Sequence, residues 1–336
     1  MTAQMYYDDD ASLEPLVGKR IAVVGYGSQG RAHALNLKDS GLDVVVGLRD
    51  GSPTAAVVSA DGLQAVSVAD ACSGAELVSF MMPDQVQMSV YQEVISPLLE
   101  PGVCLMFAHG FNIHFRMIEP SEKVDVVMVG PKAPGPMLRE VYVAGGGAPS
   151  VVAVAQDATG RARELALAYA KGLGCTRAGV FETTFAEETE TDLFGEQAIL
   201  AGGVSALIKS GFEVLVNAGY QPETAYFECL HEMKLVVELI QRFGISGMRA
   251  AVSDTAAYGS LTRGHRVIGP ESIRAMESIL RDVQSGSFAE EWAAEAEAGV
   301  PVLESERRRE AEHPIEEVGH RLRSLMVNSE EGTVHP

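Results

Sequence analysis

A β-rich apolar run, Arg20-Ile-Ala-Val-Val24, passes directly into Gly25-Tyr-Gly-Ser-Gln-Gly30 and then into a helical pattern over Gln29–Ser40. That junction constrains the fold more than any other feature of the chain. Gly25 permits a tight turn, Gly27 lets the backbone approach a pyrophosphate, and Gly30 lets the helix pack closely on the strand. The helix N-terminus then meets the phosphates with free N–H groups and a partial positive charge. A G-x-G-x-x-G string alone can be a mere tight turn. With a strand before it and a helix after it, it reads as a dinucleotide site, with Tyr26, Ser28 and Gln29 in the same loop.

The flanking pattern agrees. Arg20–Gly25, Asp43–Leu48, Leu77–Met81, Val103–Phe107, Val124–Val129 and Ser150–Ala155 read as strands. Helical stretches such as Gln29–Ser40, Gln85–Leu99 and Gly160–Gly172 lie between or after them. Alternating strand and helix implies an α/β, Rossmann-type domain with a mostly parallel sheet. After Phe185 the strand pattern stops. Asp192–Gly219 reads as one helical stretch with its kink at Gly202-Gly203. Pro222–Phe243 reads as another, Pro222 standing where a first helical residue would. Further helices are predicted at Pro270–Ser285, Phe288–Ala298 and Pro314–Met326. At 336 residues the chain exceeds what one core usually serves. The expected division is a dinucleotide-binding domain over 1–181, an all-helical domain over 182–327 and a tail over 328–336.

The net charge of −20 argues against nucleic acid, which needs clustered Lys and Arg. Much of the acid reads as solvated surface: Glu290, Glu291, Glu295 and Glu297 lie in a helical, Ala-rich stretch, and the Glu/Arg run Glu304–Glu312 is another solvated run. No strictly apolar run reaches the length of a membrane span, and the acidic N-terminus has no signal core, which together predict a cytoplasmic protein. Cys72, Cys104, Cys175 and Cys229 are scattered without C-x-x-C spacing, against both a disulfide framework and a zinc site.

The second predicted strand bears on the choice of dinucleotide. It ends in Arg49-Asp50-Gly51-Ser52-Pro53-Thr54. Arg49 stands where an acidic residue would accept a ribose 2′-hydroxyl in an NAD-binding fold, and Ser52 and Thr54 can donate to a 2′-phosphate. The loop therefore favours NADP(H). Asp50, if aimed inward, would favour NAD(H); facing solvent, it leaves the preference intact. Two carboxylate pairs then sit at i and i+4, Asp192 with Glu196 and Glu228 with Glu232. Each pair projects from one helical face, where like charges destabilise a helix unless a cation lies between them. All-oxygen ligands suit Mg²⁺ or Mn²⁺ rather than zinc, and two facing pairs could hold two metals. The plainer reading is solvated carboxylates. Against it, Glu228 and Glu232 stand among Tyr226, Phe227, Leu230, Met233, Leu235, Val236 and Val237.

Several motifs together resemble the ketol-acid reductoisomerases. They are Gly25-Tyr-Gly-Ser-Gln-Gly30 with Asn36-Leu-Lys-Asp-Ser-Gly41, and Phe107-Ala-His-Gly-Phe-Asn-Ile-His114. More specific still are the stretches Glu182–Gln197 and Ala218–Lys234, and the likeness runs from about Tyr6 to Met326. The length resembles the short, class I form. That likeness implies a Rossmann-type domain joined to a knotted helical domain, with a homodimer, alone or in a higher assembly, completing the active site. It implies that two Mg²⁺ ions bind a 2-acetohydroxy acid and stabilise its tertiary alkoxide. An alkyl group then migrates, and NADPH reduces the resulting 2-keto acid, in branched-chain amino-acid synthesis. By the same resemblance Asp192 bridges the metals and Glu196 completes one site. Glu228 and Glu232 serve the other from the partner subunit, and Glu232 also assists proton transfer. His109, which follows a predicted strand, becomes a catalytic-site residue, and Lys132 in Gly130-Pro-Lys-Ala-Pro-Gly135 matches the family's active-site lysine. Gly135 falls in the cofactor site. Ser253, which unaided reads as a helix cap, matches the serine that holds the substrate carboxylate.

The chain departs from the family pattern at Ala133, Pro136, Leu138–Tyr142, Ala257 and Arg31, none of them a predicted metal ligand. Two other readings follow from such departures: a paralogue of a specialised pathway, or a simple reductase of 2-keto acids such as ketopantoate. A non-catalytic dinucleotide-binding protein is the third, disfavoured because the expected carboxylates, His109 and Lys132 are all present.

Overall fold

The structure is a computed structural model that describes residues 3–326; the predicted tail over 328–336 lies outside the described residues. Nine strands form a single sheet. They are β1 (Met5–Tyr6), β2 (Arg20–Val24), β3 (Asp43–Leu48), β4 (Gln64–Ser67), β5 (Leu77–Phe80), β6 (Cys104–Phe107), β7 (Asp125–Pro131), β8 (Ser150–Gln156) and β9 (Val180–Glu182). Their order is β1-β9-β8-β7-β6-β5-β2-β3-β4. Pairing is parallel throughout, except that β8 runs against β7 and β1 against β9. The six predicted strands all form. Of the three that sequence reading passes over, β1 and β9 are only two and three residues long, too short for a period-2 pattern to register, and β4 (Gln-Ala-Val-Ser) has no fully buried residue and no apolar run.

Strand residues are apolar on both faces because both faces are covered. In β2, Ile21 and Val23 join one core, with Leu37 of α1 (Ser28–Asp39), Val58 of α2 (Thr54–Ala60) and residues of later helices. Ala22 and Val24 join the other, with Ala71 and Cys72 of α3 (Val68–Cys72) and the π-helical turn Tyr91–Ile95 that follows α4 (Asp84–Val90). Next come α5 (Phe111–His114), α6 (Gly135–Val143) and α7 (Ala162–Gly172). Within the first core, fully buried His33 and Ser79 both meet the Tyr169 hydroxyl, at 3.1 and 3.0 Å. The strand order reverses between β2 and β5, the crevice where open α/β sheets bind ligands.

The chain divides into two compact units between Thr191 and Asp192, inside α8 (Phe185–Gly195). The second unit is helical in its described part. After α8 comes a π-helical turn, Glu196–Leu200, and then α9 (Gly202–Asn217). The long predicted helix is therefore interrupted one turn before its glycine pair. α10 (Pro222–Tyr226) starts on Pro222 as expected and runs through a second π-helical turn, Phe227–His231. α11 (Met233–Ala250) is broken at Gly244, where φ is 72°. There follow α12 (Asp254–Val267), α13 (Pro270–Gln284), α14 (Ser287–Glu297), α15 (Pro301–Ala311) and α16 (Pro314–Met326). The unit's buried cluster is small: Phe212, Ala225, Tyr226, Ile315 and Val318.

The expectation that nothing is apolar enough to cross a membrane needs one correction. The helical run Phe185–Asn217 passes that test by length and composition, with mean hydropathy 1.6 in a window only 6% buried. Counting strictly apolar runs misses it because Lys209 and Glu213 interrupt the stretch. Both pair with the chain's later residues, Lys209 with Glu310 at 2.6 Å and Glu213 with His313 at 3.1 Å. One such helix is weak evidence for a membrane, since a helix awaiting a protein partner looks the same.

Candidate functional site

The carboxyl ends of β2, β3, β5 and β6 border a cavity of about 890 Å³. Its floor is the glycine-rich turn. Gly25 has φ +103°, and a Cβ there would lie 2.7 Å from the Met81–Met82 backbone, so only glycine fits. At Gly27 a Cβ would meet nothing within 4 Å, which leaves the turn open on that side. Gly30 is pressed under the Gly25 carbonyl, as close helix–strand packing requires. Tyr26, Ser28 and Gln29 line the cavity as well. From the far wall Arg49, Ser52 and Thr54 face it, whereas Asp50 is exposed and takes no part in the lining. Gly135 is not in the wall. It lies behind it, where a Cβ would fall 2.1 Å from the Ser28 carbonyl oxygen, and Gln29 Nε2 donates to the Ala133 carbonyl at 2.9 Å. The loop that carries Lys132 thus braces the glycine-rich turn from outside.

His109, at the end of β6, closes the opposite side of the cavity. Its Nδ1 lies 3.0 Å from Glu188 Oε2, which also accepts the Gly110 N–H at 3.3 Å. Lys132 Nζ donates to Glu188 Oε1 at 2.9 Å. The Glu188 side chain is 2% exposed, and its carboxylate sits between two cations or potential cations. Burial alone would raise its pKa. The His109 hydrogen bond, with the charges of His109 and Lys132, outweighs burial and holds the carboxyl below its usual range.

Sequence reading did not single out Glu188, although its signal was available. It stands four residues before Asp192 on α8, the same i, i+4 spacing that drew attention to Asp192 and Glu196. Asp192 is half-buried and Glu196 exposed, at the start of its π-helical turn. Glu228 lies within the second π-helical turn and Glu232 just past it, both exposed. Among the described residues, neither joins any group of three potential ligands within one chain. The apolar residues cited beside them, Leu235, Val236 and Val237, are themselves exposed. Ser253 is the N-cap of α12, its Oγ accepting the Ala256 N–H at 3.2 Å.

Comparison with known proteins covers the same ground. A family model described as acetohydroxy acid isomeroreductase, NADPH-binding domain, matches residues 15–179, and one described as ketol-acid reductoisomerase, C-terminal domain, matches residues 185–328. The solved structure of an NADH-preferring ketol-acid reductoisomerase from an uncultured archean is 46% identical, with TM-score 0.93 over 96% of this chain and 99% of that one. More distant likenesses show the fold alone. An NAD-binding semialdehyde dehydrogenase protein from Cupriavidus necator is 20% identical, with TM-score 0.61 over 80% of this chain and 99% of its own. A pyrroline-5-carboxylate reductase from Coxiella burnetii is 13% identical, with TM-score 0.55 over 80% and 98%. With both halves matched in order and a glycine-rich cavity on the first, the chain belongs to the ketol-acid reductoisomerase family.

Proposed function

We propose that the chain converts 2-acetolactate or 2-aceto-2-hydroxybutyrate to 2,3-dihydroxy-3-methyl carboxylates by alkyl migration and reduction, in valine, leucine and isoleucine synthesis. The observation that carries this reading is the Glu188 carboxylate. It ties His109, in the wall of the dinucleotide cavity, to a helix that bears the metal-ligand candidate Asp192 one turn later. On this reading Glu188 is the group shared by His109, Lys132 and the helix that carries the metal-ligand candidate.

The donor set at Asp192, Glu196, Glu228 and Glu232 is all carboxylate, which suits Mg²⁺. When bound, Mg²⁺ supplies Lewis acidity to the substrate's tertiary hydroxyl and carbonyl, and the nicotinamide supplies hydride. Glu188 keeps Lys132 and His109 oriented at the cavity's edge, where Lys132 can donate to a developing oxyanion and His109 can hold or pass a proton. Glu228 and Glu232 act from a partner subunit, an arrangement favoured by their exposure beside exposed Leu235, Val236 and Val237. Ser253 binds the substrate carboxylate in the assembled site. For the cofactor, Arg49, Ser52 and Thr54 in the wall with Asp50 outside it favour NADPH. NADH is the second reading, because a relative 46% identical prefers it.

The test is oxidation of NADPH, and separately NADH, by the purified protein with 2-acetolactate, with Mg²⁺ and with a chelator. Turnover that disappears with the chelator supports the reductoisomerase, and the kcat/KM ratio decides between dinucleotides. No turnover on 2-acetolactate, with 3-hydroxy-3-methyl-2-oxobutyrate still reduced, would leave only a reductase.

A further inference from the structure

The loop that faces the cavity with Arg49, Ser52 and Thr54 continues into α2, a helix of seven residues with a single buried side chain, Val58. So little apolar contact leaves a short surface helix poorly fixed. Its far end is held differently. Asp61, the residue after α2, receives the Tyr26 phenol on Oδ2 at 2.8 Å. Arg31 of α1 grips the same carboxylate with two N–H donors, Nε at 2.7 Å and Nη2 at 2.9 Å. Lys38, two turns further along α1, donates to the Asp61 backbone carbonyl at 2.9 Å. Both cations thus cap the negative end of α2 from one face of α1. Tyr26 itself belongs to the glycine-rich turn and is buried in the cavity wall, while Asp61 is not part of that wall.

We infer that Asp61 is a positioning residue for the cofactor: it locks α2 to the glycine-rich turn and so sets how closely the Arg49–Thr54 loop closes on the adenosine ribose. The inference rests on reading that loop as the one facing the ribose. The helix is the connecting rod. Seven residues at 1.5 Å each carry a displacement at Asp61 to Thr54 roughly 10 Å away. Because the carboxylate is bidentate on a guanidinium, it fixes angle as well as distance. A 2′-phosphate needs Arg49, Ser52 and Thr54 together, so NADPH depends on the clamp more than NADH does.

Equilibrium titration of nicotinamide fluorescence on the full-length protein tests this without turnover. Asp61→Ala is expected to raise the NADPH Kd about tenfold and the NADH Kd about two- to threefold. Asp61→Asn, which keeps the shape but loses the ion pair, falls between wild type and Asp61→Ala, and guards against misfolding of the latter. Arg49→Ala weakens NADPH by a similar factor, and combining it with Asp61→Ala gives much less than the product of the two effects. An unchanged NADPH Kd in both Asp61 variants, equal losses for both dinucleotides, or fully multiplicative effects with Arg49→Ala would overturn the inference. Should Arg49→Ala itself leave both affinities unchanged, the reading of the loop fails and takes the inference with it. With Arg49→Ala active and Asp61 silent, the loop reading stands and only the clamp is refuted.

Discussion

Glu188 is the residue on which most depends. Replacing it by Gln keeps the volume but removes the charge that His109 and Lys132 share, and leaves Lys132 beside a neutral amide. Glu188→Gln is expected to lower kcat by about 10²-fold or more while the NADPH Kd moves less than about twofold, read by steady-state kinetics and fluorescence titration. An unaltered kcat would remove Glu188 from the machinery. His33 makes a different prediction. Burial pushes its pKa down to about 3, so it stays neutral beside the Tyr169 hydroxyl. Unfolded, it titrates near 6.5. Its neutral burial is therefore without cost above about pH 6.5. Below that value unfolding takes up a proton, and stability is lost by up to about 1.4 kcal/mol per pH unit as the pH falls toward 3. Urea denaturation of wild type and His33→Asn between pH 7 and 4 measures this. The stability difference between the two must narrow as the pH falls; a constant difference refutes the assignment.

At the scale of elements, the glycine pair 202–203 shows what a pattern can and cannot reveal. Sequence reading expects a kink there, and the helix is interrupted, but by a π-helical turn that precedes the pair. The glycines accommodate that turn: a Cβ at Gly203 would lie 2.0 Å from the Ala198 carbonyl oxygen, one at Gly202 2.1 Å from that of Gln197. Gly203→Ala is expected to cost about 1–3 kcal/mol through forced movement of that backbone, visible as a lower thermal midpoint by circular dichroism. A midpoint equal to wild type means the turn is not held by this contact. The same comparison explains what was legible. β2 and its glycine turn are legible because four of the five strand residues are buried and Gly25 and Gly30 each have a steric task. α15 is not legible because its Glu/Arg run carries no apolar stripe, and α12 is not because Gly259 and Gly264 interrupt its helical pattern. The Glu304–Glu312 run reads as solvated surface, which it is, and most of it is also helix. The Asp61 clamp lay hidden for another reason: Tyr26, Arg31 and Asp61 have no common spacing, and only the fold brings them together.

At the scale of the whole molecule, the contrast between the units is informative. The first has two extensive buried clusters, whereas five residues form the buried cluster of the second. Phe243, Ile245, Tyr258, Leu261, Val267 and Ile268 are all about half exposed or more in the single chain. Apolar surface on that scale is what the proposed dimer would cover. Light scattering after gel filtration is therefore expected to report at least twice the chain mass of 35.8 kDa. Thermal midpoints should rise with protein concentration, as for any assembly that stabilises its own fold. Leu261→Glu, placing a charge in that face, is expected to shift the protein toward a monomer and lower activity at least about tenfold. A monomeric, fully active wild type would exclude the shared site.

The helix α8 carries Glu188 and Asp192 on one uninterrupted α-helical stretch, with its first π-helical turn only after both. A residue inserted between them would swing Asp192 by roughly 100° around the axis and carry it away from the face Glu188 occupies. Of the intervening residues, Thr191 is exposed and tolerates substitution, whereas Thr189 is fully buried against Gly110 and Glu190 pairs with His114 at 3.2 Å. A gained or lost codon cannot be absorbed. For this stretch of the gene, reading length is held more tightly than spelling.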